Sequence, residues 1–281
     1  LLTESRVAID LKVPFIDCKG LFVARRRLKV VEPMKINVER AGPNDGHDIV
    51  LVHGAGGSAA TWFMQLKGLG DVFRVHALEL NGHGESEDRN ESDTRHAYLE
   101  DVDSVTSEIS RPILGGHSMG GALTQLYALS HPNSVSGIVL IGTGARLRVA
   151  PGIFDLLEND FDTYVQALGG FMFDSRADPR LIEASRVEAS RCSPEVISRD
   201  FRMCDEFDIM REVSHISVPA LVIVGESDVM TPPKYSQFLA DSIEGAELRI
   251  IPEAGHAVML EQPGMVNSAI KEWAQRLVVR G

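Results

Sequence analysis

Pro112-Ile113-Leu114-Gly115-Gly116-His117-Ser118-Met119-Gly120-Gly121-Ala122-Leu123 is the stretch whose reading decides the architecture. A short apolar run leads into the pattern G-x-S-x-G, and a segment rich in Ala and Leu with helical periodicity follows. That order describes a strand, a sharp turn carrying Ser118, and a helix. Glycines flank such a turn because side chains there would strike neighbouring backbone, and the serine hydroxyl is left projecting from the sheet edge. The spacing predicts a nucleophile on a strained elbow.

A serine hydroxyl is a poor nucleophile near neutral pH, so it needs a base to take its proton and an acid to orient that base. Both candidates lie downstream. Leu221-Val222-Ile223-Val224 reads as a buried strand ending in Gly225-Glu226-Ser227-Asp228, and Thr231-Pro232-Pro233 reads as a turn into a helix. A second strand-like run, Glu247 to Pro252, leads to Glu253-Ala254-Gly255-His256. In an open parallel sheet, ligands bind beyond the carboxyl ends of the strands, so Ser118, Asp228 and His256 would share one edge. Glu226 is a rival acid, and Asp228 is preferred. Attack on a carbonyl also leaves a negative oxygen that needs donors already in place. Ile49 to Val52 is an apolar strand running into His53-Gly54-Ala55-Gly56-Gly57. The amides of Ala55 and Met119 are the expected donors, with Gly56 as the fallback for the first.

On these residues the chain resembles the α/β-hydrolase superfamily, in particular lid-bearing serine hydrolases related to microbial carboxylesterases. The resemblance rests on the His53-Gly54 loop, on Leu80-Asn81-Gly82-His83-Gly84-Glu85-Ser86, where the family usually has Pro in place of Asn81, and on the elbow at Ser118. It rests also on Gly225-Glu226-Ser227-Asp228 and on Gly255-His256 followed by Glu261-Gln262-Pro263, and it runs over nearly the whole chain. It implies that Ser118 is the nucleophile, His256 the base and then acid, Asp228 the orienting carboxylate, and Ala55 and Met119 the oxyanion donors. The implied activity is ester cleavage through an acyl-enzyme, with no cofactor and no metal, on a small-molecule ester. A carbon–carbon bond hydrolase of meta-cleavage products is the alternative within the family, with perhydrolase activity as a side reaction. Those ring-product hydrolases often carry Asn before the serine and Trp after the base, where this chain has His117 and Ala257, and both departures favour an esterase. A catalytically silent ligand receptor on the same fold is the reading from a different class.

The chain of 281 residues is 44% hydrophobic, enough for one large core. Its net charge of −12 opposes nucleic-acid and anionic-membrane partners. Cys18, Cys192 and Cys204 lack C-x-x-C spacing and are odd in number, which points to reduced thiols and a cytoplasmic protein. Leu1 to Pro14 is broken by Glu4, Arg6, Asp10 and Lys12, unlike a signal peptide or spanning helix, so no stable membrane insertion is expected. A homodimer is compatible with all of this. The nine histidines show no H-x-x-x-H or H-E-x-x-H spacing, and Gly54 to Gly57 lacks the G-K-[ST] ending of a phosphate loop.

Strand-like runs alternate with helical patterns, which implies crossovers and a mostly parallel sheet flanked by helices, an α/β fold. Leu21 to Lys29 and Met34 to Glu39 suggest an initial hairpin. The resemblance implies eight strands, with a helical cap inserted after the sixth. Residues 144–214 break the alternation and are assigned to that cap, leaving 1–143 and 215–281 as the core. Phe154, Leu157, Phe161, Phe171, Met172, Phe173, Phe201, Met203 and Met210 are candidate pocket residues, most of them expected to pack the cap onto the core. Arg176, Arg180, Arg186, Arg191, Arg199 and Arg202 are expected on a solvated face, one or two of them competing as ligands for a substrate carboxylate. His53, His83 and His117 are expected to brace their turns.

Overall fold

The computed structural model describes residues 7–16, 22–30 and 36–278. Residues 1–35 make one compact unit and 36–281 a second. In the first, β1 (Val7–Ile16) pairs antiparallel with β2 (Phe22–Val30), with a register shift between Ile9 and Lys12. This corrects the expected hairpin of Leu21–Lys29 with Met34–Glu39. Ile9, Leu11, Val13 and Phe15 alternate with Asp10, Lys12 and Pro14. Two of the charges that break up an apolar helix, Asp10 and Lys12, thus lie within a strand, while Glu4 and Arg6 lie outside the described residues.

The second unit is built on a sheet of β3 (Val38–Ala41), β4 (Asp48–Val52), β5 (Arg74–Leu78), β6 (Ile113–His117), β7 (Gly137–Ile141), β8 (Ala220–Gly225) and β9 (Glu247–Ile251). Its spatial order is β3-β5-β4-β6-β7-β8-β9. Only β3 runs antiparallel to its neighbour; every other pair is parallel. This sheet has seven strands among the described residues, where eight were expected; β1 and β2 pair with each other in a separate two-stranded sheet. The long helical stretch therefore follows the fifth strand of this sheet in chain order, β7, rather than a sixth.

Both sheet faces are covered, so the central strands read as continuous apolar runs rather than alternating ones. Val50, Val52, Leu114, Leu140 and Val222 point to one face, against α2 (Thr94–Thr106), α3 (Met119–Ser130) and α8 (Pro233–Ser242). Ile49, Leu51, Ile113, Val139 and Ile223 point to the other, where Trp62, Leu66 and Trp273 of α1 (Phe63–Leu69), its preceding turn and α10 (Pro263–Val278) meet them. A Leu114→Ala change in the fully buried centre would cost about 2–5 kcal/mol.

The chain starts this parallel core at β4, moves outward to β5, then recrosses to β6 on the other side of β4. The loops after β4 and β6 therefore leave in opposite directions. A crevice opens between them, at the carboxyl ends of the strands. Between β7 and β8 lie α4 (Pro151–Asn159), α5 (Phe161–Met172), α6 (Pro179–Ala189) and α7 (Pro194–Glu206), with their own apolar cluster around Leu157, Tyr164, Ile197 and Phe201. A four-residue helix, α9 (Val258–Glu261), precedes α10. No helix of the described residues is long and apolar enough to cross a membrane.

Candidate active site

Ser118 sits between the last residue of β6 and the first of α3, with φ 52° and ψ −114°. A non-glycine residue held there stores strain of about 1–3 kcal/mol and persists only where its surroundings fix it. Here the Ser118 amide donates to the Ile141 carbonyl at 2.9 Å, and the Thr143 hydroxyl donates to the Ser118 carbonyl at 2.9 Å. The flanking glycines are there because the turn is tight. A Cβ on Gly116 would lie 2.1 Å from the Gly120 carbonyl oxygen, and one on Gly120 would lie 2.2 Å from that of Val52.

Asp228 and His256 leave the ends of β8 and β9 and meet. The His256 Nδ1–H donates to Asp228 Oδ2 at 2.9 Å, with the histidine 1% and the aspartate 3% exposed. With its proton on Nδ1, the neutral ring presents Nε2 as an acceptor. Asp228 is itself held: its Oδ1 accepts the Met230 and Thr231 amides, and its Oδ2 also accepts the Thr231 hydroxyl at 2.8 Å. Burial pushes the Asp228 carboxyl up, but the neighbouring His256 and the Thr231 donors outweigh it and hold it below the usual carboxylate range. Glu226, the rival acid, is exposed. The His256 loop is pinned from three sides. His117 Nε2–H donates to the His256 carbonyl at 3.0 Å, the Ala257 amide donates to the Met172 carbonyl, and the Gly255 amide donates to Glu261. Glu261 also accepts the amide of Asp174, which follows α5.

In the loop after β4, His53 Nδ1–H donates to the Gly54 carbonyl at 2.8 Å while its Nε2 accepts the Leu80 amide at 3.1 Å. Those two bonds require the neutral ring. Burial and then the charge on His83 lower its pKa to about 3. The Gly56 amide donates to Asp200 at 2.9 Å, which removes it as the fallback oxyanion donor. The amides of Ala55 and Met119 have no acceptor among the described residues.

A cavity of about 400 Å³ opens onto this ground. Ser118, His256 and Ala55 line it together with Phe171, Met172 and Phe201, three of the candidate pocket residues. Of the remaining candidates, Leu157 is buried in the cluster of α4–α7, Met203 packs into the core, and Met210 is exposed. None of the arginines proposed as carboxylate ligands lines the cavity. Arg176 pairs with Asp174 and Glu253, Arg180 with Asp178, Arg191 with Glu188, and Arg199 with Asp88. Each therefore sits on the solvated face or in a structural pair. Glu188, which does line the cavity, accepts the Ser58 hydroxyl.

Ser118, His256 and Ala55 thus line one cavity, with Asp228 hydrogen-bonded to His256 behind it and Met119 the next residue in the chain after Ser118. Sequence reasoning missed Thr231, which donates to the Asp228 carboxylate, and Asp200, which binds the Gly56 amide. Thr231 carried a signal, since Asp-x-x-Thr at a strand end is the spacing of a side chain capping its own turn. Asp200 carried none, because its partners lie far away in the chain.

A parallel sheet with a serine elbow at its switch point and a His–Asp pair at the neighbouring strand ends defines the α/β-hydrolase class. The chain belongs to the alpha/beta hydrolase family, whose sequence model matches residues 49–269. A pimeloyl-[acyl-carrier protein] methyl ester esterase of Vibrio atlanticus is 25% identical over 82% of this chain and 95% of its own length. The proline iminopeptidase PfmaB of Pestalotiopsis fici is 26% identical over 84% and 94%. Among solved structures, a thermophilic esterase superposes with a TM-score of 0.76 at 30% identity, covering 86% of this chain and 98% of its own. The enol-lactonase of Burkholderia xenovorans LB400 shares the fold with a TM-score of 0.80 at 24% identity, over 88% and 99%.

Proposed function

We propose that the protein is a serine hydrolase that cleaves carboxylic esters, with Ser118, His256 and Asp228 as nucleophile, base and orienting acid. The observation that carries this reading is the buried His256 Nδ1–Asp228 bond of 2.9 Å, which leaves the imidazole Nε2 free to act on a serine in the same cavity. His256 takes the Ser118 proton as Oγ attacks the ester carbonyl, and the amides of Ala55 and Met119 hold the oxyanion. The protonated ring then gives its proton to the leaving alcohol. Water activated by the same imidazole releases the acid and restores Ser118. Residues 144–214 act as the cap, with α5 and α6 supplying cavity walls.

The apolar lining and the lack of a lysine or arginine at the cavity among the described residues favour uncharged esters with an apolar acyl or alcohol group. A dienoate product of ring cleavage would bring a carboxylate to this cavity without a cation to meet it, which weighs against carbon–carbon bond hydrolysis. Release of p-nitrophenol from short-chain esters is the direct test. Ser118→Ala is expected to lower kcat by on the order of 10⁴ or more and to abolish labelling by a fluorophosphonate. A wild-type protein that neither turns over such esters nor is labelled at Ser118 would support the receptor reading instead.

A further inference from the structure

Asp200 lies on α7, is fully buried, and stands 144 residues from the Gly56 amide that it accepts at 2.9 Å. Its other partners are His83 Nε2–H at 2.8 Å and the Tyr98 hydroxyl. A buried carboxylate is costly unless fully paired, and one of the hydrogen bonds that pair this one comes from the loop that carries Ala55. We propose that Asp200 is a positioning residue for acyl transfer: it anchors the Gly54–Gly57 turn at the Gly56 amide so that the Ala55 amide faces the developing oxyanion, with His83 as its counter-charge. The inference rests on the serine hydrolase reading above and goes beyond it, because it makes the placement of α7 a condition of transition-state stabilisation.

Peptide geometry makes the case. Two peptide planes flank the Ala55 Cα. In the first, the Gly54 carbonyl is held by the His53 ring at 2.8 Å and by the Gly57 amide at 3.1 Å. In a trans peptide the Ala55 N–H then points the opposite way. The second plane contains the Gly56 N–H, and its only acceptor among the described residues is Asp200. The two planes are linked by the turn itself: Asp200 anchors Gly56, and the adjoining Gly57 amide is one of the two donors that hold the Gly54 carbonyl and with it the Ala55 N–H, so without the Asp200 bond the turn loosens and the Ala55 amide loses the fixed aim that a preorganised donor needs.

The charges are arranged to keep this strut ionised. Burial alone would lower the His83 pKa, but Asp200 beside it raises it to about 10. Burial would raise that of Asp200, but His83, Tyr98 and the Gly56 amide hold it below the ordinary value. The other groups facing it stay neutral. Tyr98 from α2, Tyr164 from α5 and Cys204 from α7 are all pushed up, and His53 is pushed down. Arg199 reaches the Tyr98 hydroxyl but pairs with Asp88.

The test is Asp200→Asn in the full chain, assayed with p-nitrophenyl butyrate and with a trifluoromethyl ketone that forms an oxyanion adduct on the serine. Losing one oxyanion donor outright costs about 10²–10³ in kcat, so a donor left in place but poorly aimed is expected to cost about 10–100-fold. KM should stay within about threefold, and ketone affinity should fall by the same factor as kcat. Rates are normalised to serines titrated by fluorophosphonate. A merely structural Asp200 would lower Tm and the number of titratable serines while leaving kcat per site and ketone affinity untouched, and that result overturns the proposal. Should D200N not fold, His83→Gln removes the counter-charge and keeps a donor. The Asp200 carboxyl then rises, and the acid limb of kcat per site is expected to move up by about one pH unit or more; a profile superimposable on that of the wild type overturns the proposal. An active wild type with an unaltered D200N sinks this inference alone, whereas a wild type without turnover or labelling sinks the hydrolase reading itself.

Discussion

Replacing Asp228 by Asn removes one charge but keeps the shape, and the structure says what that does. Of the four hydrogen bonds the carboxylate accepts, two come from backbone amides, those of Met230 and Thr231 at Oδ1. An asparagine must place its carbonyl oxygen there, since its NH₂ would meet two donors. The NH₂ then faces the Thr231 hydroxyl and His256 Nδ1. The hydroxyl can rotate to accept, but the imidazole can accept only by moving its proton from Nδ1 to Nε2. That tautomer presents a proton, rather than a lone pair, to the serine. The expected loss in kcat is on the order of 10⁴, equivalent to about 5.5 kcal/mol of transition-state stabilisation. Because both backbone bonds survive, Tm should change by only a few degrees. The assay is p-nitrophenyl butyrate turnover per folded molecule, with the rate of fluorophosphonate labelling as an independent measure of serine activation. A D228N protein that keeps more than about a tenth of wild-type activity, or loses activity only in proportion to folded protein, refutes the tautomer argument.

Gly54→Ala would place a Cβ 2.9 Å from His117 Nδ1 and 3.3 Å from the Ser118 Cβ, so kcat is expected to fall at least tenfold, with the loss read from steady-state kinetics on the folded variant. Stability should peak near pH 6.5, as followed by urea midpoints. His53 and His117 are held near 3 in the folded protein, so unfolding takes up their protons below 6.5 and stability falls as the pH drops from there toward 3. His83 is held near 10, so its contribution is complete below 6.5 and declines as pH rises from 6.5 toward 10. An H83Q variant should lose that alkaline decline, and one that keeps it assigns the slope to another group. A methyl ester whose far end carries a carboxylate should be cleaved at least about tenfold less efficiently in kcat/KM than the neutral ester of equal length, since among the described residues Glu188 and no cation lines the cavity. Equal rates would place the far end of the substrate outside this cavity.

The parts of this molecule that could be read from its sequence are those written in consecutive residues. The elbow, the strands on either side of it and the loops bearing Ala55, Asp228 and His256 each announce themselves within about ten positions, through an apolar run that stops at Gly, Pro or Asp. The large sheet followed, because strands that alternate with helices leave few topologies. The first strand was missed for a different reason. The charges at Asp10 and Lys12 that exclude a membrane segment also obscure the apolar run, and the register shift between Ile9 and Lys12 breaks the simple two-residue period that marks a strand. The supporting contacts were illegible in kind: Asp200 to Gly56, Glu261 to Asp174 and His117 to the His256 carbonyl join residues that no local pattern relates. Which aromatic side chains face the cavity was equally hidden, since Phe154, Phe161 and Phe171 have the same chemistry and only the packing of the helices separates them.

Three of the helices that line the cavity, α5, α6 and α7, are tethered very unequally. The end of α5 is stitched to the His256 loop through Met172 and Asp174, and α7 is bolted to the Ala55 loop through Asp200. Between them α6 has no fully buried side chain, yet Leu181, Ala184, Ser185, Glu188 and Ala189 line the cavity. One wall of the chamber can thus be refurnished by substitution while the two beside it hold the chemistry in register. Divergence in substrate preference among close descendants of this sequence should accumulate along that single helix.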